Sequence, residues 1–282
     1  MYLEGSTLMH DDILASFENP VLLKKGGQKV VYQAKDRVHG PVVVKIGNYS
    51  SDSTLERIKR EVQLLKEIDS IYYPRNYDLI ITKDNRFIII EEFVEAQPLT
   101  AYLEKFDTPK SVMQFGYHLA SGLKVLWDRP TAHRDIKPDN ILLASSGYPK
   151  IIDLGIAKIP ELDSLTGTYL MRGPCTPAYA SPEQLKNRKA QIDYRTDQFS
   201  MGITLLQLLL KGKHPFHPAL VGGTSIDSNI LTNNWYRHAL EQPALISLKS
   251  LITTLLEPEP FGRYKNTSAL LNDFKNCIEV LP

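Results

Sequence analysis

Apolar positions along the chain change their period from two to nearly four and back, and those changes outline its elements. The runs "VLLKKGGQKVVYQAKD" and "GPVVVKIG" are rich in β-branched residues and predict strands, with Gly40-Pro41 turning between them. In "SDSTLERIKREVQLLKEI" the residues Leu55, Ile58, Val62, Leu65 and Ile68 share one helical face, with charges opposite. Ser53 followed by Glu56 predicts a capping box at the start of that helix. Two further apolar runs in "YDLIITKDNRFIIIEEF", joined by Lys83-Asp84-Asn85, predict a hairpin. Beyond a connector at 92–98, Thr108-Pro109 opens a helix that carries Val112, Phe115, Leu119, Leu123 and Leu126 on one face and closes before Pro130. A second hairpin is expected in "NILLASSGYPKIIDLG", then a polar stretch over roughly 155–182. Helical periodicity returns from Tyr194 and runs to "SALLNDFKNCIEVL". Strands and helices are segregated along the chain, which predicts an α+β protein with a small sheet-bearing lobe and a larger helical one.

Composition narrows the function classes. The 33 basic and 32 acidic residues nearly cancel, leaving a formal charge of +1 and no electrostatic argument for nucleic acid or a membrane surface. Two cysteines, Cys175 and Cys277, do not make a disulfide framework or a zinc site. The first residues carry acids and lack a basic region followed by an apolar run, and "ITLLQLLL" is far too short to span a bilayer. A cytoplasmic protein in a reducing compartment is expected.

The chemistry concentrates in "HRDIKPDN" (133–140) and "DLG" (153–155). Asp135, Asn140 and Asp153 form an oxygen-rich trio suited to Mg²⁺, which takes a few carboxylate or amide ligands together with phosphate oxygens. Lys45, on a strand of the small lobe, is the natural cation for those phosphates. A buried lysine needs a counter-ion, and Glu61, beside Val62 on the helix, is a candidate.

Together these motifs resemble the eukaryotic-type (Hanks-type) Ser/Thr protein kinases, including stand-alone bacterial members, over about 20–275. The resemblance implies a bilobal kinase-like fold. Its expected parts are an N-terminal extension (1–19), an N-lobe (20–91) with an antiparallel sheet and one main helix, a hinge (92–98), and a mainly helical C-lobe (99–282). "VVVKI" is similar to the family's third-strand motif and implies that Lys45 meets the ATP α- and β-phosphates. Glu61 in "REVQLL" is similar to its ion-pair glutamate. "HRDIKPDN" implies Asp135 as base or orienter of the substrate hydroxyl, Lys137 as a contact for the transferring phosphoryl, and Asn140 as a metal ligand. Asp153 is implied as the main Mg²⁺ ligand, with Leu154 where the family has Phe, and Mn²⁺ as a substitute ion. Gly26, Gly27 and Val31 fall at the nucleotide-covering hairpin, and Glu92 and Val94 at the hinge. Thr176 and Glu183 lie in "CTPAYASPE", which resembles the end of the activation segment. Thr166 and Thr168 are then phosphosite candidates, with Arg134 and Lys158 as their basic docking pocket. Arg263 in "PFGRY" resembles the buried partner of Glu183, and Asp197 in "DQFSMG" the aspartate that braces the catalytic loop. The resemblance implies Mg-ATP as cofactor, Ser or Thr of proteins as acceptor, and self-association for trans-autophosphorylation.

Three departures stand out. Lys24 and Lys29 occupy the positions of the first and third glycines of the family's loop. Glu91 falls either at the gatekeeper position or, with a shift of one residue, at the hinge acid. Leu154 replaces the phenylalanine. A catalytically dead relative would be expected to lack Lys45, Asp135, Asn140 or Asp153, and all four are present. A small-molecule phosphotransferase of the same fold usually lacks a segment like "CTPAYASPE". His214 and His217 in "HPFHP" have no cysteine or carboxylate close by in sequence, which argues against zinc.

Overall fold

A computed structural model of the chain describes residues 13–26, 29–129, 131–144, 147–154 and 176–282. The chain divides into two compact units, Met1–Glu95 and Ala96–Pro282.

In the first unit, β1 (Glu18–Lys25), β2 (Lys29–Asp36), β3 (Gly40–Asn48), β4 (Asn76–Ile81) and β5 (Arg86–Glu92) form an antiparallel sheet of order β1-β2-β3-β5-β4. Strand alternation sends Val42, Val44 and Ile46 to one face, where they pack with Ala34, Ile88 and Ile90, and sends Val43 and Lys45 to the other. Ile13 and Phe17, within the expected extension 1–19, are buried in that same core. The helix α1 (Asp52–Lys66) lies against β4 and buries Ile58, Glu61 and Val62. Its cap is Ser51, whose extended backbone presents the hydroxyl to the Thr54 N–H, and not the expected Ser53. Ser53 is already inside the first turn, so a box built on it comes two residues late.

The second unit opens with β6 (Ala96–Pro98), which pairs with β7 (Ile141–Ala144), itself paired with β8 (Pro149–Ile151). The expected connector 92–98 therefore contains the end of β5 and all of β6. Three residues ending in proline carry no readable period. The helix α2 (Pro109–Trp127) is capped by Thr108 in a reciprocal box with Ser111 and buries all five apolar positions expected of it. It lies against α4 (Tyr194–Leu209) and α8 (Thr267–Val280), and between them in sequence come α3 (Pro182–Leu185), α5 (Pro218–Val221), α6 (Ile226–Leu231) and α7 (Lys249–Leu255). Every residue of α4 from Thr196 to Leu208 is buried, as a helix central to its unit must be. The α2–α8 crossing is close: a Cβ at Gly116 would come within 2.5 Å of a Phe274 ring carbon. Among the described residues no helix is long and apolar enough to cross a membrane.

Candidate active site

The site of the second unit is built outward from the first turn of α4. There Asp197, wholly buried, accepts hydrogen bonds from the Trp127 indole N–H (3.0 Å) and from the backbone N–H groups of His133 and Arg134 (2.8 Å each). Burial pushes the Asp197 carboxyl above its ordinary value, opposed by His133 and by those three donors. The two backbone bonds hold Arg134 at a φ of 69°, a left-handed conformation that a side-chain-bearing residue keeps only when its surroundings fix it. His133 is locked as well. Its Nδ1 accepts the Asp135 N–H at 3.3 Å, which leaves the proton on Nε2, 3.2 Å from the Ile152 carbonyl. Burial holds this imidazole below its ordinary pKa, against the nearby carboxylates, so it is a neutral brace.

The turn from Arg134 presents Asp135, 5% exposed. Its Oδ2 accepts from Asn140 Nδ2 at 2.7 Å and lies 3.1 Å from the Lys137 ammonium. Its Oδ1 accepts from the Thr176 hydroxyl at 3.0 Å, and Lys137 Nζ also reaches that hydroxyl oxygen at 2.5 Å. Asn140 spends its amide N–H groups on the side chain and backbone carbonyl of Asp135, which turns Oδ1 away from them as an acceptor. The Ile152 N–H donates to the Asn140 backbone carbonyl at 3.0 Å, so the β7–β8 hairpin delivers Asp153 next to Asn140. Asp153 leaves the hairpin at a φ of 56°, and Leu154 after it is buried. An amide oxygen and a carboxylate are both ligand types that a hard divalent cation takes.

Beside this loop, residues 176–185 form an anchored platform. Gln184 Nε2 donates to the Arg134 carbonyl (2.8 Å), Ser200 to the Tyr179 carbonyl (2.8 Å), and Tyr179 to Gln207 (2.8 Å). Burial pushes the Tyr179 hydroxyl up to about 12. His214 repeats the His133 pattern: Nδ1 accepts the Phe216 N–H and Nε2 donates to the Ala178 carbonyl at 2.9 Å. Burial lowers its pKa from 6.5 to about 4. Behind the platform Glu183 and Arg263 form a bidentate pair at 2.7 and 3.0 Å, fully enclosed, with Thr196 also donating to Glu183.

The first unit holds Lys45, Glu61 and the residues selected for the nucleotide-covering hairpin and the hinge. Lys45, paired in register with Val31, meets Glu91 at 2.5 Å, and Glu61 is buried on α1. The Gly26 N–H donates to the Lys29 carbonyl at 2.9 Å, closing the β1–β2 hairpin, while the Lys29 ammonium sits over the Phe87 ring. The Glu92 carboxylate accepts the Arg75 N–H at 3.0 Å, and Val94, half-buried, follows β5. Gly27, Lys158, Thr166 and Thr168 lie outside the described residues. Sequence reasoning missed the platform anchors Gln184 and His214. The latter was legible in principle, because His-x-Phe at 214–216 repeats the spacing of His-x-Asp at 133–135.

Comparison with known proteins places this geometry in context. The sequence pattern described as "protein kinase domain" matches residues 17–274. A probable serine/threonine-protein kinase of Clostridium perfringens is 29% identical over 260 residues, covering 89% of this chain and 36% of the relative. CBL-interacting protein kinase 4 of rice (Oryza sativa subsp. japonica) is 28% identical over 285 residues, 96% of this chain and 60% of the relative. Serine/threonine-protein kinase PrkC of Bacillus subtilis is 27% identical over 264 residues, 90% and 39% respectively. The chain thus spans less than two thirds of the length of each of these relatives.

Proposed function

Because the chain belongs to the protein kinase domain family, we propose that it transfers the γ-phosphoryl group of Mg-ATP to Ser or Thr hydroxyls of proteins, its own among them. The observation that supports this best is the arrangement around Asp135, whose carboxylate is oriented at once by Asn140, Lys137 and Thr176. A carboxylate held in this way accepts a hydroxyl proton and aligns the oxygen for attack, and orientation is most of what phosphoryl transfer asks of a protein.

Asn140 and Asp153 are the residues that would hold Mg²⁺, whose contribution is to neutralise charge on the phosphates. Lys45 binds the α- and β-phosphates, with Gly26, Gly27 and Val31 over the nucleotide and Glu92 and Val94 at the base. Lys137 neutralises charge on the transferring group as a point cation and, with Thr176, supports a Ser/Thr rather than a tyrosine acceptor. The anchored platform at 176–185 supports a protein acceptor over a small molecule, since it offers a fixed surface beside the catalytic loop. Trans-autophosphorylation, with Thr166 or Thr168 as acceptor and Arg134 and Lys158 as docking cations, belongs to the same reading.

The test is ³²P transfer from Mg-ATP to the purified protein and to a generic basic protein, followed by phosphoamino-acid analysis. Label on serine and threonine is expected. Label confined to tyrosine, or transfer to a small molecule with none to protein, would contradict the reading.

A further inference from the structure

The Lys45–Glu91 ion pair is unusual in its place. Lys45 lies opposite Ile89 in the β3–β5 register and Val43 opposite Glu91, so Lys45 and Glu91 are diagonal neighbours on one face of the sheet. Their charged atoms are 2.5 Å apart, with side chains only 7% and 10% exposed. Asn76 lies opposite Glu91 across the β4–β5 register and so shares that face. Both polar atoms of the Asn76 carboxamide are buried and have no hydrogen-bond partner. A spare donor and a spare acceptor therefore sit on the strand next to Glu91, where an unpaired buried amide is costly. Glu61 is buried in the same unit, so two carboxylates, Glu61 and Glu91, and one ammonium, Lys45, are buried among its described residues.

We propose that Glu91 is a positioning residue that competes with nucleotide phosphate for the Lys45 ammonium and thereby sets the affinity for Mg-ATP. The inference rests on the kinase reading, in which Lys45 meets the phosphates. At low dielectric a carboxylate in contact with an ammonium cancels much of the field that a polyphosphate would feel. Phosphate must draw Lys45 away from Glu91, which then turns to the unspent Nδ2–H of Asn76. Glu91 is thus a fixed internal rival that weakens nucleotide binding, and Asn76 lowers the cost of displacing it.

The experiment is calorimetric titration of the full chain with Mg-ATP and separately with adenosine, alongside kcat for protein phosphorylation. Glu91→Gln keeps the shape and removes the charge, and Glu91→Met provides an independent uncharged variant should the first be poorly folded. Both are expected to bind Mg-ATP about tenfold more tightly, with adenosine affinity unchanged within twofold and kcat within threefold. Asn76→Ala is expected to weaken Mg-ATP binding about threefold. Mg-ATP binding no tighter in folded Glu91→Gln or Glu91→Met, while the wild type binds and transfers phosphate, overturns this inference alone. An Asn76→Ala affinity at or above the wild-type value removes Asn76 from it. A folded wild-type protein that neither binds Mg-ATP nor transfers phosphate overturns the kinase reading instead.

Discussion

His133 and His214 each accept the backbone N–H two residues ahead and use the other ring nitrogen to hold a carbonyl of a neighbouring segment. The first of these bonds needs a neutral ring, so protonation removes an acceptor and strands a buried charge. For His214 the consequence has a defined sign. Its pKa falls from 6.5 in the unfolded chain to about 4 when folded, so between those values the unfolded chain binds the proton first. The contribution to stability is complete above pH 6.5 and is lost as pH falls toward 4, to a total of about 3 kcal/mol. Urea unfolding across that range should show a flatter pH dependence for His214→Gln than for wild type, and superimposable slopes would contradict this. Single residues were legible where their chemistry repeats a known constellation: "HRDIKPDN" named Asp135 and Asn140, and the structure joins them at 2.7 Å. Glu91 was visible only as an oddity. Its contact with Lys45 depends on the register of β3 against β5, which no local pattern reveals.

The elements owe their placement to a few buried polar pairs as much as to apolar periodicity. The platform at 176–185 holds a 3₁₀ turn at Pro177–Tyr179 and the short α3, neither long enough to stand as a helix alone. It is fixed by Glu183 on Arg263, whose guanidinium also donates to the carbonyls of Arg195, Glu257 and Pro258 and stacks over Phe199. Removing one partner of such a pair leaves an uncompensated buried charge. Arg263→Met should therefore cost about 3–5 kcal/mol in urea unfolding. The double variant Arg263→Met/Glu183→Gln should recover part of that loss, and a purely additive double variant would show that the pair is not coupled. Periodicity located α1 and α2 well: α2 buries a continuous apolar stripe, while α1 buries Ile58 and Val62 beside Thr54 and Glu61 and leaves Leu55 and Leu65 half-buried. It failed at boundaries set by single hydrogen bonds, as at Ser51, and at β6, whose three residues take their conformation from pairing with β7.

At the scale of the whole chain, the change from strand to helical patterning predicted the α+β division. The structure gives a sheet-bearing unit to Glu95 and a mainly helical unit from Ala96. The expected extension at 1–19 was less legible: Ile13, Leu14 and Phe17 make an apolar group too short to show a period, and only the fold shows Ile13 and Phe17 joining a core. The account's central claim is that Asp135, held by Asn140, Lys137 and Thr176, orients the acceptor hydroxyl for phosphoryl transfer. Asp135→Asn keeps the shape of the side chain and removes its ability to take a proton. The measurement is the rate of ³²P transfer from Mg-ATP to a protein acceptor by wild type and by Asp135→Asn, at matched folded concentration. A fall of about 10²–10⁴-fold with an unchanged melting temperature is the expected result. An Asp135→Asn protein that phosphorylates at the wild-type rate would contradict the claim.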